Sequence, residues 1–260
     1  MTIIDTHTHL YDLPDLAGSL REAADAGVTD VVALGVDLAS NQKHIEMCQS
    51  APGRVRIHPA LGLHPGNITT REDTAACLQF IRENISQAVA IGEAGLDFWY
   101  KWVRKDDVKK QEQREAFQGQ LDLAAQFGLP VVIHARGSWR ECLEMAKASG
   151  IARADFHWYS GPVDVLRDIL DAGYVISVSP ALEYSADSRR AAEFAPLDRL
   201  LVETDTPVMV SLPDGTRVAS GPKDVWRTFR ALCSVKKLDE PEALQALNAN
   251  ARAFFNIPVL

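Results

Sequence analysis

Six short stretches of the sequence carry imidazoles and carboxylates of the kinds that hold divalent cations. "DTHTHL" contains Asp5, His7 and His9, and "GLHPG" contains His64. "IGEAGLD" contains Glu93 and Asp97, and "VVIHAR" contains His134. "DFHWYSG" contains His157, and "LLVETDTP" contains Glu203 and Asp205. Imidazole with carboxylate is ligand chemistry for zinc, manganese, iron or nickel, and carboxylate-rich variants take magnesium. Each motif alone has a plainer reading. A lone His-x-His pair is more often structural than metal-binding, Glu93 alone caps a loop, and "ETDTP" alone is a turn with an N-cap. Their weight lies in appearing together.

Bringing residues 5 to 205 to one point requires a frame. Eight short apolar, β-branched runs recur along the chain: Ile3 to Asp5, Asp30 to Leu34, Val55 to Leu61, Val89 to Ile91, Pro130 to Ile133, Ala154 to Phe156, Tyr174 to Val178 and Leu200 to Val202. Near-continuous apolar runs suit strands buried on both faces of a parallel sheet. Helical spacing fills the gaps, as in Leu16 to Ala26 before Gly27, Gln111 to Phe127 before Gly128, and Val163 to Ala172 before Gly173. Eight strands alternating with helices predict an α/β fold, a (β/α)8 TIM barrel; the sixth and eighth strands are the weakest. An open doubly wound sheet would carry a phosphate-binding glycine fingerprint after its first strand, and none follows here.

On the barrel, the six stretches follow or end strands one, three, four, five, six and eight. The C-terminal strand ends of such a barrel form one mouth, where active sites lie. Alternate residues of an extended segment point to one side, so His7 and His9 converge. Polar groups at the rim of an apolar barrel must be satisfied, and a divalent ion satisfies several at once.

Composition narrows the rest. The chain has 260 residues, 47% of them apolar, which suits one domain over residues 1–260. No apolar run approaches 18 residues, and the N-terminus does not read as a signal peptide. Cys48, Cys77, Cys142 and Cys233 lack CxxC spacing and read as reduced thiols of a cytoplasmic protein. A net charge of −8 speaks against tight nonspecific duplex binding.

The six stretches, in order over residues 5 to 207, resemble the TatD family of metal-dependent deoxyribonucleases, within the amidohydrolase-like barrels. The resemblance implies two divalent metal ions (Mg, Mn or Zn). His7 and His9 would bind the first, Glu93 would bridge both, and His134 and His157 would bind the second. Asp205 would bind the first ion and act as general base toward the attacking water. Glu93 stands where phosphotriesterase-like relatives carry a carbamylated lysine. Two departures follow: Trp158-Tyr159 replaces a phenylalanine-type position, and residues 208–226 keep Arg217 and Lys223 but lack an Asn-Glu-Pro that many members carry.

Substrate recognition is read from residues 98–110, "FWYKWVRKDDVKK". Trp99, Tyr100 and Trp102 interleave with Lys101, Arg104 and Lys105, which suits the bases and backbone of a single strand. The plainer reading is a solvated loop and helix start. Lys101, Trp102, His64 and Arg136 are candidate substrate contacts; Arg136 in a rim salt bridge and His64 as support for the metal shell are the alternatives. His44 and His58 read as structural or surface residues. The expected function is a monomeric, cytoplasmic nuclease acting on DNA, single-stranded or at ends, with no membrane partner. One alternative keeps the site and cleaves a small ester, amide or aminoacyl ester. Another is a noncatalytic, metal-stabilised binding module.

Overall fold

A computed structural model describes residues 1–50, 53–211 and 216–259. Eight strands lie in one parallel sheet in chain order: β1 (Ile3–Thr8), β2 (Val28–Leu34), β3 (Arg56–Leu61), β4 (Ala90–Asp97), β5 (Val131–Arg136), β6 (Ala154–Phe156), β7 (Val175–Val178) and β8 (Leu200–Val202). The sheet curls until β1 meets the chain after β8, through a parallel bridge between Thr8 and Thr206. His9 N–H donates to the Thr206 carbonyl at 2.7 Å, and Asp205 N–H to the His7 carbonyl at 3.0 Å. Asp5 strengthens the seam, accepting from Thr204 N at 3.0 Å and from Thr204 Oγ1 at 2.7 Å. The (β/α)8 TIM barrel expected from the sequence is therefore present. The sixth and eighth strands are three residues each, as their short apolar runs foretold.

Helices cover the outside: α1 (Leu16–Asp25), α2 (Leu38–Ser50), α3 (Arg71–Asn84), α4 (Asp107–Phe127), α5 (Trp139–Ala148), α6 (Val163–Asp171), α7 (Ala186–Phe194), α8 (Val225–Lys236) and α9 (Glu240–Phe255). Alternation along the strands sorts the core into two layers. Ile3, Val31, Ala33, Ile91, Val131 and Ile133 join the apolar layer shared with the helices. Ile4, Val32, Leu34, Ala60, Val132 and Leu201 form a second cluster, which Phe254, Phe255 and Ile257 from the end of the chain complete.

Several boundaries differ from the expectations, each for a local reason. Helix α4 starts at Asp107 rather than Gln111, because Asp106 caps it by accepting from Val108 N and Lys109 N. The basic stretch 98–110 is thus a loop to residue 106 and a first helical turn. Strand β1 extends to Thr8 and β4 to Asp97, so His7 and Glu93 lie within strands rather than after them. Both strands carry one extra residue there: Asp5 and Thr8 pair with Val31 and Ala33, and Ile91 and Ala94 pair with Val131 and Ile133. Such bulges re-aim side chains beside active sites.

Candidate metal centre

The bulge in β4 sets Glu93, whose N–H donates to the Gly35 carbonyl at 2.9 Å. Close approach makes this possible: a Cβ on Gly62 would lie 2.4 Å from the Gly92 carbonyl carbon. Asp205 stands in the left-handed region at φ 54°, tolerated by aspartate and held by its bond to His7 O. His157 directly follows β6, and Ser177 Oγ accepts from Trp158 N at 3.2 Å to fix the turn after it.

The donors converge. His7 Nε2 and His9 Nε2 are 3.3 Å apart. Glu93 Oε2 lies 3.5 and 3.3 Å from them, and Asp205 Oδ1 lies 3.4 and 3.1 Å from them. Four donors about 2.1 Å from a tetrahedral ion stand about 3.4 Å apart, so this spacing fits one cation. The other oxygen, Glu93 Oε1, lies 2.8 Å from His134 Nδ1 and 2.9 Å from His157 Nε2, which are 3.4 Å from each other. One carboxylate therefore faces two donor sets, one with each oxygen.

The rear nitrogens of the rings match a ligand role. His9 Nδ1 is 3.0 Å from the Leu34 carbonyl and His134 Nε2 is 3.0 Å from Asp97 Oδ2. Both partners only accept, so these nitrogens carry hydrogen and the opposite lone pairs face the centre. Buried Glu203 lies behind two more rings, 3.8 Å from His7 Nδ1 and 3.5 Å from His157 Nδ1, and accepts from Ser177 Oγ at 2.6 Å. In the sequence, Asp97 and Glu203 count among the carboxylates at strand ends, with no role given to either; the residue alternation Glu93, Gly95, Asp97 was the available signal for the first.

His64 is arranged the other way. Its Nδ1 accepts from Gly66 N at 2.9 Å, so its Nε2 carries the hydrogen, 3.6 Å from Glu93 Oε1. Burial pushes this imidazole down to about 3, keeping it a neutral donor. Arg136 pairs through Nε with Asp97 Oδ2 at 2.9 Å and lies 5.1 Å over the Tyr100 ring, yet its side chain stays 47% exposed. His64, Arg136, Tyr11, Asn67 and Trp158 help line a cavity of about 390 Å³ above the donors. Lys101 and Trp102 do not line it; they are exposed on the loop beside it, where Trp102 stacks on Tyr100 at 5.4 Å. His58 pairs with Asp30 at 2.7 Å, and His44 is buried against Tyr11, so neither joins the cluster. Lys223 pairs with Glu22 at 2.6 Å, and exposed Arg217 sits in a hairpin of β9 (Met209–Ser211) and β10 (Arg217–Ala219). Residues 212–215 of the departing segment lie outside the described residues.

Without ions, protons balance the acids. Burial would lower His9, but the Asp205 and Glu93 carboxylates raise it to about 10. Burial opposes charge on His157 too, but Glu93 and Glu203 hold it well above its ordinary value. Asp97 and Glu93 raise His134 against burial. Glu93 is itself held well below the carboxylate range, burial notwithstanding, by the protonated His157 and His134 beside it. A cation needs those lone pairs, so binding must expel protons. Titration with zinc at pH 7 is expected to release at least about two protons per chain, with apparent affinity rising toward pH 10. Calorimetry in two buffers of different ionisation enthalpy reads the number; identical heats in both would contradict it.

Known proteins share this chain's sequence pattern and barrel. The family described as "TatD related DNase" matches residues 4–256. The Escherichia coli metal-dependent hydrolase YjjV is 30% identical over 264 residues, covering 98% of both chains. Its crystal structure superposes with a TM-score of 0.86 at 28% identity over 98% of each chain. Human deoxyribonuclease TATDN3 is 27% identical over 263 residues, covering 97% of this chain and 94% of its own. With the family match spanning almost the whole chain, and the barrel and its clustered imidazoles and carboxylates in place, this chain belongs to the TatD-related DNase family.

Proposed function

We propose that the protein is a metal-dependent hydrolase cleaving phosphodiester bonds of DNA at single-stranded ends, as a one-domain monomer using two divalent ions. The observation that carries this reading is Glu93, one oxygen facing His7 and His9, the other facing His134 and His157. His7, His9 and Asp205 would hold one ion, His134 and His157 the other, with Glu93 between. Magnesium, manganese and zinc all suit the donors. Divalent ions held there supply Lewis acidity and a water nucleophile near neutral pH.

The chain's own residues do the rest. Asp205, at the cavity surface, accepts the proton of the attacking water. His64 donates from Nε2 to a phosphate oxygen. Arg136, anchored through Nε, keeps further N–H groups for the same phosphate. The cavity has the size of a small-ligand site, which favours a strand end over an intact duplex. The loop beside it offers Trp99, Tyr100 and Trp102 to the following bases, with Lys101 near the backbone. Cytoplasmic residence is supported by four unpaired cysteines. Among the described residues, no helix is long and apolar enough to cross a membrane.

The test is degradation of end-labelled single-stranded DNA with manganese or magnesium, beside a circular single strand of equal sequence. Shortening of the linear strand alone supports the reading. Intact DNA with turnover of small esters by the same preparation overturns the substrate assignment, an outcome the departing segment 208–226 keeps in view. In the same assay Trp99→Ala, which removes the most exposed ring of the loop, is expected to raise KM about tenfold with kcat little changed, since stacking is worth about 1–3 kcal/mol per base. An unchanged KM would remove the loop from recognition.

A further inference from the structure

The buried carboxylate of Asp97 stands between the donor cluster and the aromatic loop, and it serves both at once. Its Oδ2 accepts from His134 Nε2 at 3.0 Å and from Arg136 Nε at 2.9 Å. Its Oδ1 accepts from Trp99 N at 2.9 Å and Tyr100 N at 3.3 Å. Its own N–H donates to Gln113 Oε1 at 3.0 Å, and Gln113 Nε2 donates to the Pro65 carbonyl at 3.2 Å. The side chain is fully buried, so no water substitutes for a lost partner. On one side, His134 turns Nδ1 toward Glu93 and His157. On the other, Arg136 covers Tyr100, which stacks on Trp102.

We propose that Asp97 is a positioning residue that couples the metal centre to loop 98–102, so that filling the centre orders the loop and a strand held on the loop tightens cation binding. The inference rests on the metal reading given above. An imidazole bonded to a cation through Nδ1 donates more strongly from Nε2. That pulls on the same oxygen that anchors Arg136, and on the carboxylate whose other oxygen holds the Trp99 and Tyr100 amides. Neither arm can shift without the other. Coupling between two binding events is reciprocal by thermodynamic necessity, and typical values correspond to about 5–150-fold in affinity.

The experiment uses the full chain, zinc as the cation, and a phosphorothioate oligothymidylate that resists cleavage. Zinc is expected to slow hydrogen exchange at the Trp99 and Tyr100 amides at least about fivefold, and the oligonucleotide to raise zinc affinity by a similar factor. In Asp97→Asn, zinc binding weakens about 10–100-fold and the amide response disappears. Tyr100→Ala tests the loop arm while keeping the residue 100 N–H that donates to the buried carboxylate: zinc affinity alone falls far less than in Asp97→Asn, and the gain from the oligonucleotide is lost. Zinc binding to the wild type with no change in those amides overturns the coupling and leaves the metal reading intact. A gain that survives Tyr100→Ala at saturating oligonucleotide also overturns it, because the cation then meets the phosphate directly. A wild type that binds no divalent cation overturns the metal reading itself.

Discussion

Replacing Glu93 by alanine is expected to lower kcat/KM on single-stranded DNA at least about a thousandfold, equivalent to about 4 kcal/mol of barrier. The size follows from position. Its two oxygens face both donor sets at 2.8 to 3.5 Å, so one truncation opens both halves of the centre. Glu93→Gln keeps the shape but turns an amide N–H₂ toward one set of lone pairs, and is expected to be similarly inactive with manganese in excess. Metal content per chain falls with it. The substitution also acts on the metal-free fold. His9, His134 and His157 are raised against burial with Glu93 among the causes. A raised imidazole stabilises the fold fully below its unfolded value and loses that contribution as pH climbs through the folded value, about 10 for His9. In the alanine variant burial works with less opposition, so the metal-free protein should weaken most below about pH 6.5, with the deficit shrinking as pH climbs toward the folded value of His9. Thermal melts of both proteins in chelator, from pH 5 to 8, give the comparison. An alanine variant keeping a tenth of wild-type activity would refute the shared carboxylate.

The barrel was legible because its strands are short, apolar and separated by helices with glycine stops, each level pointing to the same architecture. Ala154–Phe156 and Leu200–Val202 were the weakest of the eight runs, and each is a strand of only three residues. The centre was legible in residue type, since imidazoles and acids at a barrel rim have few structural explanations. What the sequence hid was orientation. The placement of His7 and Glu93 inside β1 and β4 depends on two bulges, and a bulge has no composition of its own beyond nearby glycine. The start of α4 was missed because Asp106 and Asp107 read equally as loop acids or as cap and first turn. His64 shows the limit best. Only its bond from Gly66 N tells which ring nitrogen carries the hydrogen, and so separates a phosphate donor from a ligand. Tyr11, in the 3-10 turn after β1, and Trp158, in the turn after β6, reach the cavity from segments whose course no local pattern announces.

Asp205→Asn is expected to cut kcat about 10²–10⁴-fold at saturating manganese, the range for losing a positioned general base. "ETD" places two acids two residues apart, and the barrel gives them different surroundings. Glu203 is wholly buried behind His7 and His157, bonded to Ser177, with no route to a substrate. Asp205 turns outward at φ 54°, lines the cavity and keeps 15% of its side chain exposed. Burial would raise its carboxyl, but His9 and His7 hold it below the usual value, so it stays an anion ready to take a proton. The amide has the same shape and still presents an oxygen toward His9, so cation binding should survive in part while proton acceptance does not. Glu203→Gln should behave oppositely. It acts through the imidazoles, so cation affinity falls about 10–100-fold while excess manganese restores most of the rate. Manganese titrations of activity for both variants separate the two roles. Full rescue of Asp205→Asn by manganese would reduce Asp205 to a ligand and require another base among the cavity residues.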